Sequence, residues 1–138
     1  MSWDSAAEPS DAEVVCRFLD NRKKHFRLAE SGGYEVKPKA FEPPPDGELS
    51  VFRIDELPEH DVWKLGDEVV APSRGHEVLA RADIVVGTIR SKLLEVAADG
   101  QAPMHPRHAK VVRWPPLKHE VMALAQQLAA EAECHAHP

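Results

Sequence analysis

The spacing of apolar residues changes along this chain, and that change restricts the fold more than any other feature. In the last third, apolar residues recur at helical intervals among alanines, at Leu117, Val121, Leu124 and Leu128. This pattern is typical of an amphipathic helix that packs on a sheet. Residues 49–54 instead alternate as a strand does, and we expect Phe52 and Ile54 to face the core. Both periods in one chain, without a regular βαβ order, favour an α+β fold.

Two further helices are predicted from local signals. Ser10 with Glu13 three residues later resembles a capping box, so we expect an N-terminal helix that runs from Ser10 to the paired glycines. Glu13 and Arg17, one turn apart, would pair on its exposed side. Pro58 suits the first turn of a middle helix, which we expect to end at Ala71. The predicted fold is therefore a single compact α+β domain, in which a small mixed or antiparallel sheet packs against an N-terminal, a middle and a C-terminal helix.

The other strand candidates are short apolar runs between turn signals. They are residues 34–36, 78–84, 93–97 and 109–112. The run from Ile84 to Ile89 fits a strand or a short helix, because periodicity cannot separate the two in so short a run. Pro43, Pro44 and Pro45 stiffen the segment before Leu49, so we expect a surface crossing there, with a docking segment for a partner as the alternative.

A chain of 138 residues, 43% of them hydrophobic and 29% charged, is long enough for one core. We expect a flexible N-terminus at 1–9, one domain at 10–130 and a flexible C-terminal tail at 131–138. No stretch approaches the ~20 apolar residues that a membrane span requires, and the acidic start lacks the features of a secretory signal. Cys16 and Cys134 lie far apart, which favours reduced thiols and a cytoplasmic protein.

The net charge of −6 argues against general nucleic-acid binding, because phosphates would repel such a surface. Residues 74–119, however, hold eight basic and four acidic side chains. An anionic ligand or an acidic partner would suit this segment, and the alternative is a mixed surface without function. The run Arg22–Arg27 includes an aromatic ring and suits either a nucleic-acid contact or a solvated helix end.

The common catalytic and cofactor motifs are absent from the sequence. It has no phosphate-binding glycine loop, no His-Glu-x-x-His, no Cys-x-x-Cys and no Gly-x-Ser-x-Gly. We therefore predict no cofactor. Cys134, His135 and His137 alternate in the expected tail, where adventitious metal binding is favoured over a built site, so we predict no metal site.

A candidate site follows from polar residues set in or beside apolar runs. His108 stands at the start of a predicted strand and can act as an acid, a base or an anion contact, because it titrates near neutral pH. If the strands that carry the other polar residues are neighbours, they form one cleft with His108 as its catalytic residue. The ligand-binding candidates are Arg53, Arg81, Asp83, Arg107 and Arg113. The alternative is an Arg–Asp ion pair, with His108 at a strand end.

Three segments carry a resemblance to known proteins: Ser50-Val51-Phe52-Arg53, Arg81-Ala82-Asp83-Ile84, and Arg107-His108-Ala109 leading into Trp114-Pro115. They resemble a group of small uncharacterised bacterial proteins of similar length. The resemblance covers roughly residues 14–130 and implies that these segments form one compact unit. It brings no activity, cofactor or catalytic residue with it.

Three functions remain open. The first is a small non-enzymatic interaction or accessory domain that binds a protein partner in a bacterial multi-protein system, favoured by the missing catalytic motifs and the proline-rich crossing. The second is a small enzyme or ligand-binding domain for an anionic molecule, nucleotide-like or phosphate, which arginines hold while His108 moves a proton. The third is weak nucleic-acid binding, which salt would abolish.

Overall fold

Six strands form one antiparallel sheet, and two more form a separate hairpin. The computed structural model describes residues 3–138. In chain order the strands are β1 (Val14–Leu19), β2 (Phe26–Leu28), β3 (Tyr34–Val36), β4 (Leu49–Arg53), β5 (Ala80–Val85), β6 (Glu95–Ala98), β7 (His108–Val112) and β8 (Glu133–Ala136). The large sheet has the order β6-β7-β4-β1-β5-β8, and β2 pairs with β3.

The helices of the described residues are α1 (Glu59–Leu65), α2 (Ala71–Arg74), α3 (Val86–Arg90) and α4 (Lys118–Glu131). A π-helical turn at Gly66–Val70 joins α1 to α2, and a 3-10 turn at Pro38–Phe41 precedes β4. Together with the antiparallel sheet, these elements confirm the predicted α+β class. None of the helices within residues 3–138 combines the length and the apolar character that crossing a membrane requires.

The sheet is buried on both faces. On the first, here called the α4 face, strand residues pack against α4 and the 3-10 turn, in a core that includes Val15, Leu19, Phe41, Val51, Ala82 and Leu128. On the second, the α1 face, strand residues pack against α1 and the π-helical turn, in a core that includes Cys16, Phe18, Phe52, Val62, Trp63 and Val70. The expectation that Phe52 and Ile54 mark the core face was incomplete, since Val51 on the opposite face is 0% exposed.

The predicted N-terminal helix is wrong. Residues 14–19 form β1, which lies between β4 and β5 in the middle of the sheet. A central strand is covered on both faces, so its apolar residues do not alternate and cannot be distinguished from a buried helix by periodicity. Ser10 and Glu13 form a turn rather than a cap, in which the Glu13 N–H donates to the Ser10 carbonyl at 3.1 Å.

The middle helix is longer than predicted. It continues through the π-helical turn and α2 and ends at Gly75, whose φ of 73° only glycine adopts easily. Pro72 is tolerated because it lies in the first turn of α2. Gly66 allows close packing on β1, since a Cβ atom there would lie 2.8 Å from Cε1 of Phe18.

The structure settles one open alternative and corrects the predictions for the two ends of the chain. The run from Ile84 to Ile89 divides, because β5 ends at Val85 and α3 begins at Val86. Residues 133–136 form the edge strand β8, where a flexible tail was predicted. Residues 3–9 also pack on the domain, since the Ala7 carbonyl accepts a hydrogen bond from Arg53 at 2.7 Å.

Candidate functional site

Arg53 and Arg107 meet at one end of the sheet. Arg53 is 3% exposed and donates from Nε and Nη2 to the two carboxylate oxygens of Glu13, at 2.6 and 2.8 Å. Arg107 Nη1 donates to the Arg53 carbonyl at 3.0 Å. The Trp3 ring lies 4.9 Å from the guanidinium carbon of Arg53 and 4.4 Å from that of Arg107. These contacts fasten the N-terminal segment to the sheet and neutralise Arg53 with a built-in acid.

Arg81 and Asp83 form a second cluster, on the α1 face. Arg81 Nε donates to Asp83 Oδ1 at 3.0 Å, and Nη2 donates to Glu59 Oε2 at 3.0 Å. The Arg81 guanidinium carbon lies 4.9 Å from the Trp63 ring. Burial raises the pKa of Asp83, whereas the hydrogen bond from Arg81 acts to lower it. The two residues therefore form the ion pair that was the predicted alternative to a ligand site.

These clusters and His108 do not share a cleft. By register, Arg53 lies on the α4 face, whereas His108 and Asp83 lie on the α1 face. Because β4 and β1 separate β7 from β5, His108 and Asp83 are about 14 Å apart, at three strand spacings. The predicted common cleft of Arg53, Arg81, Asp83 and His108 is therefore wrong.

Arg113 lies just beyond the opposite end of β7 from His108. It has a left-handed φ of 69° and lines an open cleft of about 360 Å³ together with Leu93 and Pro115. Leu93 has a φ of 65° and is 87% exposed. This cleft is a separate surface, so Arg113 does not act together with His108.

The basic segment 74–119 does not form a basic face. Its cations largely pair with acids from elsewhere in the chain, as Arg74 does with Asp20 and Lys110 with Glu48. Folding therefore mixes charges that are segregated in the sequence, which agrees with the predicted alternative of a mixed surface. Nucleic-acid binding stays a prediction, and folding disperses the segregated charge that favoured it in the sequence.

A cleft opens where β1 and β4 separate. The two strands pair at only two positions, although each continues to pair with its other neighbour. Arg17 bridges the gap, because its Nη1 donates to the Ser50 carbonyl at 2.8 Å and its Nε to the Ala40 carbonyl at 3.0 Å. The cleft has a volume of about 470 Å³ and is lined in part by Arg17, Lys39, Pro44, Glu48, Ser50 and Arg74.

Arg17 has no acid partner at ion-pair distance. Within residues 3–138, no carboxylate oxygen lies within 4.0 Å of its guanidinium nitrogens. Burial, and after it the charge of Arg74, lowers the pKa of Arg17 to about 10, while Asp20 acts in the opposite direction. With that pKa the side chain stays cationic at neutral pH. Arg17 is thus a partly buried cation whose hydrogen bonds go only to carbonyl groups.

Two more cations line the same cleft. Arg74 Nη1 donates to the Phe18 carbonyl at 2.5 Å and lies 3.6 Å from an Asp20 carboxylate oxygen. Lys39 lies 3.6 Å from a carboxylate oxygen of Glu42. Three cations therefore face two acids, Glu42 and Glu48, in the lining. The consecutive prolines 43–45 form one wall, which their fixed φ angles keep stiff.

His108 contacts Ser50, which also lines this cleft. Its Nε2 lies 3.0 Å from the Ser50 hydroxyl oxygen, and its Nδ1 lies 3.0 Å from Asp99 Oδ2. His108 is 4% exposed, and its ring contacts the edge of Phe52 at a centroid distance of 5.5 Å. Gly100 lets the β6–β7 loop close beside Asp99, because a Cβ atom there would lie 2.2 Å from the Pro106 carbonyl oxygen.

Sequence reasoning missed Arg17, Ser50, Arg74 and Asp99. The predicted Glu13–Arg17 pair on a helix is wrong, since Glu13 pairs with Arg53 and Arg17 belongs to a central strand. The available signal was that Arg17 is the only charged residue in the apolar run 14–19. Ser50, Asp99 and Arg74 carried no local signal, because only strand order brings them to the cleft or to His108.

No family model, curated protein or solved structure matches this chain. The resemblance to a group of bacterial proteins therefore stays a prediction.

Proposed function

We propose that this domain binds a small molecule with an oxyanion, a carboxylate or a phosphate group, in the cleft between β1 and β4. The observation that carries the proposal is Arg17, a partly buried cation whose hydrogen bonds, within the part of the chain that the structure describes, go only to carbonyl oxygens. A buried charge without a counter-charge is costly to a fold. A bound oxyanion would supply that counter-charge, and the planar guanidinium fork is suited to bind it.

The lining of the cleft restricts the ligand. Its three cations outnumber its two acids, which favours a net negative ligand. A volume of about 470 Å³ suits a small metabolite. The lining residues within 3–138 include no aromatic ring on which a base would stack. We therefore infer a phosphate or carboxylate compound without a nucleobase, whereas the prediction from the sequence also allowed a nucleotide-like ligand.

The residues that hold the anion differ from those named from the sequence. Arg53 is neutralised by Glu13, and Arg81 by Asp83, so neither has charge to offer a ligand. Arg17 takes their place, because the neighbouring cations Arg74 and Lys39 have acids beside them, Asp20 and Glu42, each at 3.6 Å. We thus keep the second predicted function, binding of an anionic molecule by arginines, and move its site to the cleft between β1 and β4.

Calorimetric titration and thermal unfolding with inorganic phosphate, sulfate and succinate test the proposal. We expect at least one of these anions to bind the wild-type protein and raise its Tm, while chloride at equal ionic strength does not. Arg17→Met should bind at least about tenfold more weakly, because a charge-assisted hydrogen bond contributes about 1.5–3 kcal/mol.

Arg27→Met is the matched control, since the Arg27 side chain is 65% exposed and pairs with Glu35 outside the cleft. It should bind the anion as the wild type does. The proposal fails if none of the three anions binds, or if Arg17→Met binds as tightly as the wild type and the control.

A protein partner is the second proposal, and one surface favours it. Leu93, which is 87% exposed, lies on this surface. Leu93 and Arg113 line one cleft and both hold left-handed φ angles, an unfavourable conformation for such side chains. This surface suits an apolar segment with an acidic residue that pairs with Arg113.

Leu93→Ser tests the partner proposal against Leu28→Ser, because Leu28 is also exposed, at 65%. A binding protein retained by the wild type and by Leu28→Ser, and lost from Leu93→Ser, supports it. Equal retention by the two variants contradicts it.

We also propose that the domain works in the cytoplasm. Cys16 and Cys134 are free and lie on opposite faces of the sheet by register, which suits a compartment where thiols stay reduced. Cell fractionation measures this directly, and recovery of the protein outside the cytoplasm contradicts it.

A further inference from the structure

Ser50, His108 and Asp99 form a line of hydrogen-bonding side chains. His108 Nε2 lies 3.0 Å from the Ser50 hydroxyl oxygen, and His108 Nδ1 lies 3.0 Å from Asp99 Oδ2. The strand order β6-β7-β4 explains the alignment, because Asp99 follows β6, His108 begins β7 and Ser50 lies on β4. The three residues are far apart in the chain and meet only in the folded sheet.

The surroundings of His108 decide which ring nitrogen carries the proton. Nδ1 faces two acceptors of the same residue, the Asp99 carboxylate at 3.0 Å and its carbonyl oxygen at 3.3 Å. Neither group can donate, so Nδ1 must hold the proton in the neutral ring. Nε2 is then the unprotonated nitrogen, and it accepts the hydrogen bond of the Ser50 hydroxyl.

We propose that Ser50 is a nucleophile, with His108 as its general base and Asp99 as the group that orients the imidazole. A nucleophile, a base in hydrogen-bond reach of it and a third group that fixes the base are the arrangement that activates a serine. Ser50 is partly exposed and lines the cleft. The substrate class, a small ester that carries a carboxylate or phosphate, rests on the proposed function, since Arg17 lines the same cleft and its Nη1 donates to the Ser50 backbone carbonyl at 2.8 Å.

The reaction is an acyl transfer in two halves. The Ser50 oxygen attacks the ester carbonyl carbon while its proton passes to His108 Nε2, and Asp99 stabilises the resulting imidazolium. The bond to the alcohol breaks, the alcohol oxygen takes the proton from Nε2, and an acyl ester remains on Ser50. Water then attacks that ester, gives a proton to Nε2 and releases the acid, and the proton returns to the Ser50 oxygen.

Labelling with diisopropyl fluorophosphate tests the nucleophile without the anion site, because this probe is neutral. Intact-mass and peptide mass spectrometry should find one adduct on Ser50 of the wild-type protein, and none in Ser50→Ala. Asp99→Asn should label at least about 100-fold more slowly. The Asp99 side chain is 36% exposed, so this change is less disruptive than replacing buried His108.

Ser91→Ala is the matched control, since Ser91 is an exposed serine that contacts no histidine and bonds the Thr88 carbonyl at 2.6 Å. It should label as the wild type does. The nucleophile is refuted if the wild type gives no adduct on Ser50, or if Asp99→Asn labels at the wild-type rate.

Hydrolysis of two p-nitrophenyl esters then separates this inference from the proposed function. The neutral acetate ester reports the nucleophile alone, and the succinate monoester adds a carboxylate. If Arg17→Met lowers the ratio of kcat/KM on the succinate monoester to kcat/KM on the acetate by at least about tenfold, both are supported. If Ser50 labels and Arg17→Met leaves this ratio as it is in the wild type, the nucleophile stands and the anion site fails.

Discussion

Arg53 and Arg17 sit on neighbouring strands, β4 and β1, and differ in what neutralises them. Arg53 is 3% exposed and makes hydrogen bonds to both carboxylate oxygens of Glu13. Among residues 3–138, the Arg17 side chain has the carbonyl groups of Ala40 and Ser50 as its hydrogen-bond partners, and it faces a cleft. An arginine with its acid built in holds a fold together, whereas one without an acid is free to bind an anion. One sheet therefore holds a structural arginine in Arg53 and, in Arg17, the arginine of the proposed binding site.

Removal of Glu13 should produce the largest effect. Glu13→Ala leaves Arg53 buried without an acid, so we expect the free energy of unfolding to fall by about 3–5 kcal/mol. Urea unfolding measures the loss, and Glu30→Ala at an exposed position is the control, which should change it by less than about 0.5 kcal/mol. A loss below about 1 kcal/mol for Glu13→Ala would show that Arg53, like Arg17, tolerates the absence of an acid partner. The two arginines would then not differ in the way proposed.

Trp3 should matter at the Arg53 site and not at the Arg17 site. Its ring lies within 5 Å of the guanidinium carbons of both Arg53 and Arg107, and each cation–π contact contributes about 0.5–1 kcal/mol. We expect Trp3→Ala to lower the free energy of unfolding by about 1–2 kcal/mol and to leave phosphate affinity unchanged. Weaker phosphate binding in this variant would show that the two sites are coupled.

Arg17→Met should change the free energy of unfolding less than Glu13→Ala does. The lost hydrogen bonds to two carbonyl groups are offset by the removal of a poorly neutralised charge, so we expect a change within about 1 kcal/mol. The stabilisation of the wild type by phosphate should disappear in the same variant. A loss near that of Glu13→Ala, measured by the same urea unfolding, would make Arg17 structural.

The smallest expected effect is on the titration of His25. Burial lowers the pKa of His25 below 6.5, and the charges of Arg17 and Arg74 lower it further, while Asp20 raises it. The unfolded chain therefore binds a proton that the folded chain resists, and stability falls as the pH drops below about 6.5.

NMR titration of His25 measures whether Arg17 keeps its charge in the folded protein. Arg17→Met removes one nearby cation, so the His25 pKa should rise and the loss of stability below pH 6.5 should shrink. Arg27→Met should leave the titration as it is in the wild type. An unchanged His25 pKa in Arg17→Met would show that Arg17 does not carry its charge near this histidine.

Local sequence predicted part of the fold and little of the candidate site. The strands around Tyr34 and Leu49 and the helix after Leu117 carry their own signals, and the structure contains each of them. The run 14–19 was assigned wrongly, because a strand buried on both faces loses the alternation that identifies strands. His108 was recognised as a candidate, whereas its partners Ser50 and Asp99 were not, since no local pattern links residues on three strands.

The α+β class, the single compact domain and the arginine and histidine side chains next to apolar runs could be predicted from the sequence. Which groups these side chains contact depends on the tertiary structure. Glu13 reaches Arg53 across 40 residues, and β1 and β4 separate after two paired positions. Arg17 is left at a cleft where no carboxylate of residues 3–138 lies at ion-pair distance from it. The reason is physical: strand order and register follow from burial over the whole core, and a charge acts on whatever group the fold brings within a few ångströms of it.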